Sequence, residues 1–325
     1  MIYPWHTEAW QKIREHWQQA AHAWLFVGQE NTGKTAFARH MAQALLCETP
    51  QADHQACNTC SSCHLFTQNS HPDFYELTPE IPEGESLGRK LLQIKIDEVR
   101  QLIEPLQLTS VRGGKRVVLI HPAESMNLQA ANALLKVLEE PPENVVFLLV
   151  SHARDKLLPT IKSRCRQFAL PSPNKDEALA FVAQQHPENA AELLAFHSNA
   201  PLFEHQPELD VLRENLLAIL LQPRLLAILD YAQQFDQKKL ALEHFLALIQ
   251  KFLADLALSQ QNLNILYYPK YATEIAQVAN KTDTMKLFQL QTALNALAPY
   301  GRHTLNVRLQ IESVLLDYLN FYQNK

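Results

Sequence analysis

Glycine is scarce in this chain of 325 residues: seven in all, two of them inside the octet GQENTGKT (Gly28 and Gly33), two adjacent at Gly113 and Gly114, and only Gly301 thereafter. So few turn-forming residues after position 114 exclude a second half made of tight hairpins and leave a helical one. No apolar run approaches the ~20 residues of a membrane-spanning helix; Val145–Val150 (VVFLLV) is among the longest. The opening MIYPWHTEAWQK lacks the basic-then-apolar order of a secretory signal. Basic residues are not in excess, 29 Lys and Arg against 34 Asp and Glu, a formal charge of −5. That sign argues against a module that binds nucleic acid by its own field; DNA contact would require a local basic face or partner chains. Cysteines number five, and Cys57, Cys60 and Cys63 lie too close together for comfortable mutual disulfides. A reducing, cytoplasmic setting is expected. With 47% hydrophobic residues, the chain is far too apolar to be disordered.

What is present is an alternation. Ala23–Val27 (AWLFV) reads as a buried strand, GQENTGKT as a loop, and Ala36–Leu46 as a helix with Phe37, Met41, Ala44 and Leu45 on one face. Val117–Ile120 and Val145–Val150 read as two more buried strands, separated by a helix over Leu128–Glu140 that Pro141-Pro142 ends. Alternating strands and helices predict a mainly parallel sheet. Pro171 and Pro173 break the pattern, and Asn174 is placed to cap the next helix. A short helical segment runs to about Phe203, a Pro-containing link spans Glu204–Glu208, and a Leu-rich helical region follows from Leu209. The fold class is therefore α/β followed by all-α.

GQENTGKT satisfies every fixed position of G-x-x-x-x-G-K-[ST], between a strand and a helix as that motif requires. In such a loop, backbone N–H groups from Gly28, Gln29, Glu30, Asn31, Thr32 and Gly33 curl around phosphates, Lys34 reaches the terminal phosphates and Thr35 offers its hydroxyl to Mg²⁺. Hydrolysis needs acids at the end of a later buried strand, one for the metal and one for the attacking water. Here Val117–Ile120 is followed by His121-Pro122-Ala123-Glu124. Glu124, the nearest acid, lies three residues past the expected metal position. The site is expected to bind ATP or ADP without turning it over.

Cys47, Cys57, Cys60 and Cys63 are spaced C-x9-C-x2-C-x2-C. That spacing suits a closed tetrahedral S₄ shell for Zn²⁺, a structural site that pins an insertion. His54, His64 and His71 are read as surface residues, with substitution for a thiolate the alternative. Further on, Arg164 stands between Ser163 and the fifth cysteine, Cys165. On the residues alone it is an ion-pairing arginine or one that reaches a neighbour's phosphates.

Taken in order, YPW (Tyr3–Trp5), GQENTGKT, the four-cysteine insertion, HPDF (His71–Phe74), IDEVR (Ile96–Arg100), ANALLKVLEEPP (Ala131–Pro142) and the triplet Ser163-Arg164-Cys165 resemble the bacterial clamp-loader family of AAA+ proteins. The resemblance covers roughly the first 170 residues; the remainder agrees in length and helical character only. It implies an AAA+ P-loop domain over residues 1–169 with a zinc-binding insertion at 47–63, a small helical lid over 170–206 and a helical collar for oligomerisation over 207–325. It implies a pentameric complex with gamma/tau-type motor subunits and a delta subunit, which places a ring-shaped sliding clamp on primer-template DNA in the nucleoid-associated replisome. The missing acids, the YPW start, HPDF and the lack of a long C-terminal extension match the member that serves as stator. In that member the triplet arginine, here Arg164, reaches the adjacent motor's ATP site and stabilises the transferring phosphoryl. Ser151 or His152 stands where active relatives sense the γ-phosphate. Two other readings remain open: a motor ATPase of the same family, favoured by the intact loop and opposed by His121-Pro122, and a zinc-containing DNA-binding adaptor, opposed by the net charge and by only Lys34 and Arg39 as basic residues between Gly28 and Leu77.

Overall fold

The computed structural model describes residues 2–15, 17, 21–79, 92–204, 206–301 and 306–323. It divides into two compact units, one of Met1–Glu80 with Leu92–Ala178 and one containing Leu179–Lys325.

The first unit is built on five strands, β1 (Ala23–Val27), β2 (Phe74–Leu77), β3 (Arg116–Ile120), β4 (Val145–Ser151) and β5 (Arg166–Ala169). They form one sheet in the order β2-β3-β4-β1-β5, every neighbouring pair parallel. The three inner strands are those with continuous apolar runs, as strands covered on both faces require. Alternate residues feed opposite faces. Trp24, Phe26, Leu148 and Val150 pack with Trp10 and with Phe37 and Met41 on one side. Ala23, Leu25, Phe147 and Leu149 pack with Val99, Leu134 and Leu138 on the other. The first side is covered by α1 (Thr7–Glu15) and α2 (Lys34–Leu46), the second by α4 (Ile96–Ile103), α5 (Leu128–Glu139) and α6 (Pro159–Arg164), while α3 (Ser61–Thr67) belongs to the cysteine insertion. Phe37 is fully buried, and its truncation to alanine would cost about 3–5 kcal/mol.

The expected strands and helices form with small shifts at their ends: α2 starts at Lys34, not Ala36, and α5 stops at Glu139. Asn127 caps α5, its Oδ1 accepting from Ala130 N at 2.8 Å. Asn174 caps α7 (Lys175–Ala183) through a reciprocal pair, Asn174 Oδ1 accepting from Glu177 N and Glu177 Oε2 accepting from Asn174 N, both at 2.9 Å.

The second unit is helical: α8 (Ala190–Phe196), α9 (Pro207–Leu221), α10 (Leu225–Gln237), α11 (Leu242–Gln260), α12 (Ala272–Ala279), α13 (Thr284–Leu297) and α14 (Val307–Gln323). Its core runs from Leu216 and Leu220 through Phe235, Phe245 and Phe252 to Ile311 and Leu315. Tyr318 Oη donates to Leu220 O at 2.7 Å, tying α14 to α9. Asp255 is fully buried and accepts from the backbone N–H groups of Leu266, Tyr267 and Tyr268 at 2.7–3.1 Å. Among the described residues no helix is long and apolar enough to cross a membrane. The fold is α/β followed by all-α, as the sequence pattern predicts.

Candidate phosphate loop, cysteine cluster and surface arginine

The phosphate loop joins β1 to α2 at the carboxyl edge of the sheet, with β4 on one side of β1 and β5 on the other, where parallel α/β sheets hold their ligands. Gly33 is the N-cap of α2 at φ 92°, a backbone region that favours glycine. A Cβ at Gly28 would meet Leu170 O at 3.0 Å. Asn31 takes the left-handed conformation at φ 58°. Thr32 is buried, its Oγ1 donating to Gln29 O at 2.8 Å. Gln29 Oε1 accepts from Ser172 Oγ at 3.4 Å. Lys34 is almost wholly buried and donates to the same Gln29 carbonyl. Burial pushes its ammonium down to about 8, against the opposing fields of Glu30 and Glu124. Thr35 follows in the first turn of α2, with its side chain partly exposed.

The amino-terminal YPW segment braces this loop, a role that the sequence pattern does not reveal. Trp5 Nε1 donates to Thr32 O at 2.8 Å, and Tyr3 stacks on Trp5 at 4.9 Å. The fully buried His6 ring bonds through Nε2 to Pro171 O at 3.2 Å and meets Phe37 edge-on. Desolvation, aided by the charge of Lys34 and opposed by the Pro171 bond, lowers its pKa to about 4.

At the end of β3, His121 is committed elsewhere. Its Nε2 shares a hydrogen bond of 2.9 Å with Glu76 Oε1, and Glu76 also pairs with Arg39. The His121 and Arg39 bonds hold the Glu76 carboxyl below the usual range although burial pulls it the other way. Pro122 supplies no side-chain ligand. Glu124 is turned toward β4: its Oε1 accepts from His152 N at 2.8 Å and Ala153 N at 3.1 Å, and its buried Oε2 has no hydrogen-bond partner. The charge of Glu124 is one of the fields that raise the Lys34 pKa against burial. Ser151 pairs in register with Val27 just before the loop, and its Oγ accepts from Ala153 N at 3.2 Å. Burial and Lys34 lower the pKa of His152, whose buried Nδ1 is unpartnered. Both sensor candidates thus stand at the same sheet edge.

Cys47, Cys57, Cys60 and Cys63 converge, their four Sγ atoms all within 4.8 Å of one another. The Cys47–Cys60 and Cys57–Cys63 sulfur pairs are each 3.9 Å apart, against about 3.8 Å for the edge of a tetrahedron with Zn–S bonds of ≈ 2.3 Å. Backbone N–H groups of Cys57, Cys60 and Cys63 point at Sγ of Cys47, Cys57 and Cys60 at 3.3–3.4 Å, the donors that thiolates need. The donor set fits a closed structural metal. His64 is exposed and His54 half-buried. His71 corrects the surface reading: it is 6% exposed, with Nε2 2.6 Å from Ser62 Oγ and Nδ1 accepting from Asp73 N at 3.1 Å. Ser62 Oγ in turn donates to Leu46 O at 2.6 Å, so His71 ties α3 to the end of α2. Its neighbour Asp73 accepts from Ser110 Oγ, Val111 N and Arg112 N at 2.9–3.0 Å. HPDF is therefore a brace around the cysteine knuckle.

Arg164 ends α6 with its side chain 32% exposed, donating to Thr160 O at 3.1 Å and paired with Glu139 at the end of α5. Ser163 is exposed and its Oγ donates to Thr160 O at 3.0 Å. Cys165 is buried, and burial pushes its thiol up to about 12, so it packs as an inert apolar side chain.

Residues 5–174 match the family model described as DNA polymerase III, delta subunit. The chain belongs to this family. Among curated relatives, the DNA polymerase III subunit delta' of Pseudomonas aeruginosa is 43% identical over 205 residues, 62% of this chain and 60% of the relative. Subunit delta' of Escherichia coli K12 is 34% identical over 185 residues, 56% of this chain and 53% of the relative. Subunit tau of the same organism is 38% identical over 149 residues, 46% of this chain and 21% of the relative. The matches thus span only part of the relatives' own lengths. The delta-subunit match contains the phosphate loop, the cysteine cluster and the Ser163-Arg164-Cys165 triplet; the helical second unit lies almost wholly outside it.

Proposed function

We propose that this chain is the delta-prime-type stator of a bacterial clamp loader, working with gamma/tau-type motor subunits and a delta subunit in a pentamer that sets the sliding clamp on primer-template DNA. The observation that carries the reading is the contrast at the sheet edge. The phosphate loop is complete, whereas the strand that should supply the metal and water acids ends in His121-Pro122, with His121 bonded to Glu76. Catalysis of phosphoryl transfer is positioning and charge stabilisation, and without a carboxylate at that strand end neither is supplied for hydrolysis. ATP or ADP bound here would be held by the loop amides, Lys34 and Thr35.

The catalytic contribution is then made in trans. Arg164, at the surface and tethered among the described residues by a half-exposed carboxylate and a carbonyl, would enter the neighbour's site and stabilise charge on the transferring phosphoryl. The residues 170–206 act as a lid and 207–325 as the collar, and Cys47, Cys57, Cys60 and Cys63 hold Zn²⁺ as a staple of the insertion. The setting is the bacterial cytoplasm.

Steady-state ATP hydrolysis by the purified chain tests the stator reading, with Lys34→Ala exposing contaminating activity. No turnover above that control is expected. The second reading, a motor in its own right, is favoured by the intact phosphate loop; turnover that Lys34→Ala abolishes would establish it.

A further inference from the structure

Within the helical unit, α8, Glu204 and Gln206, α9 and α11 line a cavity of ≈ 180 Å³. At the ~30 Å³ share of a liquid water, that is room for a handful of waters or one small organic ligand. Its walls are largely apolar, with Phe196, Leu209 and Leu248 facing the space. Two basic side chains stand over one of these rings. Lys251 Nζ lies 3.8 Å from the centroid of the Phe196 ring and donates to Phe196 O at 2.7 Å. Arg213 stands over the same ring at 4.6 Å.

The two cations differ in their partners. Arg213 is neutralised by Asp210 at 3.0 Å and Glu214 at 3.7 Å. Among the described residues no carboxylate lies within ion-pair reach of Lys251; its hydrogen bond goes to a carbonyl, and the charge it feels is Arg213, another cation. One of three ammonium donors is used, in a setting where an uncompensated charge is costly. Burial and Arg213 lower the Lys251 pKa to about 8. His197, which also lines the space and stacks on Phe203 at 4.1 Å, is held neutral at pH 7 by burial and by the charges of Lys251 and Arg213. Glu204 and Asp210 line the cavity too, which disfavours a dianion such as phosphate.

We propose that this cavity binds a small monocarboxylate with a short apolar tail, the carboxylate on Lys251 Nζ and the tail against Phe196 and Leu248. The ligand braces α8 against α9 and α11. The same chemistry is offered by a free short-chain acid or by the C-terminal carboxylate of a peptide.

Calorimetric titration of the full chain with acetate, butyrate and hexanoate tests the site. Saturable binding is expected, strengthening by about fourfold per added methylene until the cavity is filled, and hexanol should not bind. Lys251→Met, which keeps the stem and removes the charge, should abolish hexanoate binding. Ala247→Phe, at an exposed position on the cavity rim, should do the same by closing the space, with the melting temperature unchanged. A leucine-terminated hexapeptide and its C-terminal amide distinguish the sources. Binding of the acid but not the amide assigns a protein terminus, and binding of hexanoate alone assigns a free small molecule. No saturable binding by the unmodified chain, binding that survives Lys251→Met, or equal binding of peptide acid and amide would overturn the proposal.

Discussion

Lys34 is a cation folded back on its own loop. Its ammonium donates to Gln29 O, and burial holds it near pH 8. A polyphosphate at the loop adds negative charge and raises that pKa again. Nucleotide binding between pH 8 and 9 should therefore take up a proton, seen as a dependence of the calorimetric heat on the ionisation enthalpy of the buffer, and Lys34→Met should remove it. His6 works in the opposite pH range. Its folded pKa of about 4 lies below the 6.5 of an exposed histidine, so between those values the unfolded chain binds more protons and stability falls as pH falls. His40, lowered to about 4 by burial, adds to the same limb. His6→Phe should make the loss of melting temperature between pH 6.5 and 4 shallower.

At the scale of elements, the cysteine knuckle and HPDF form one structural device. On the proposed zinc occupancy, a strong chelator should release one ion per chain and raise amide hydrogen exchange in α3 and around Ser62 and His71, while the protection of β1, β3 and β4 remains. Exchange that spreads evenly through the sheet would refute an insertion-only role. The inner strands of that sheet were legible in the sequence because both faces are covered, which makes them unbroken apolar runs. The edge strands were not: β2 (FYEL) carries Glu76 and β5 (RQFA) carries Arg166 and Gln167, and their partly exposed faces erase the signal. The loop and the four cysteines were legible because their chemistry demands fixed spacing. His71 was misread as surface, since its burial depends on Ser62 and Asp73, and a polar residue's partner across a loop leaves no periodic trace. The bracing of Thr32 by Trp5, 27 residues away, is hidden for the same reason.

The whole molecule is an α/β unit followed by a helical one, and its proposed work is done at a neighbour's site. Arg164→Ala removes a partly exposed side chain and should leave the chain folded. In the reconstituted loader it should lower turnover at the one adjacent ATP site by on the order of 10³-fold, read as the loss of that site's share of steady-state hydrolysis. Undiminished turnover with the variant incorporated would rule out the contribution in trans. Glu139 gives the ion pair at Arg164 a further meaning. On the proposed role in trans, the isolated chain supplies its own decoy anion, so an unassembled finger would be quenched and would have little pull on loose nucleotide. Docking would then exchange one anion for another, and a γ-phosphate carries more negative charge than the carboxylate it would displace. The grip between neighbours should loosen when that phosphate is lost, which makes the strength of the contact a readout of which nucleotide the neighbour holds.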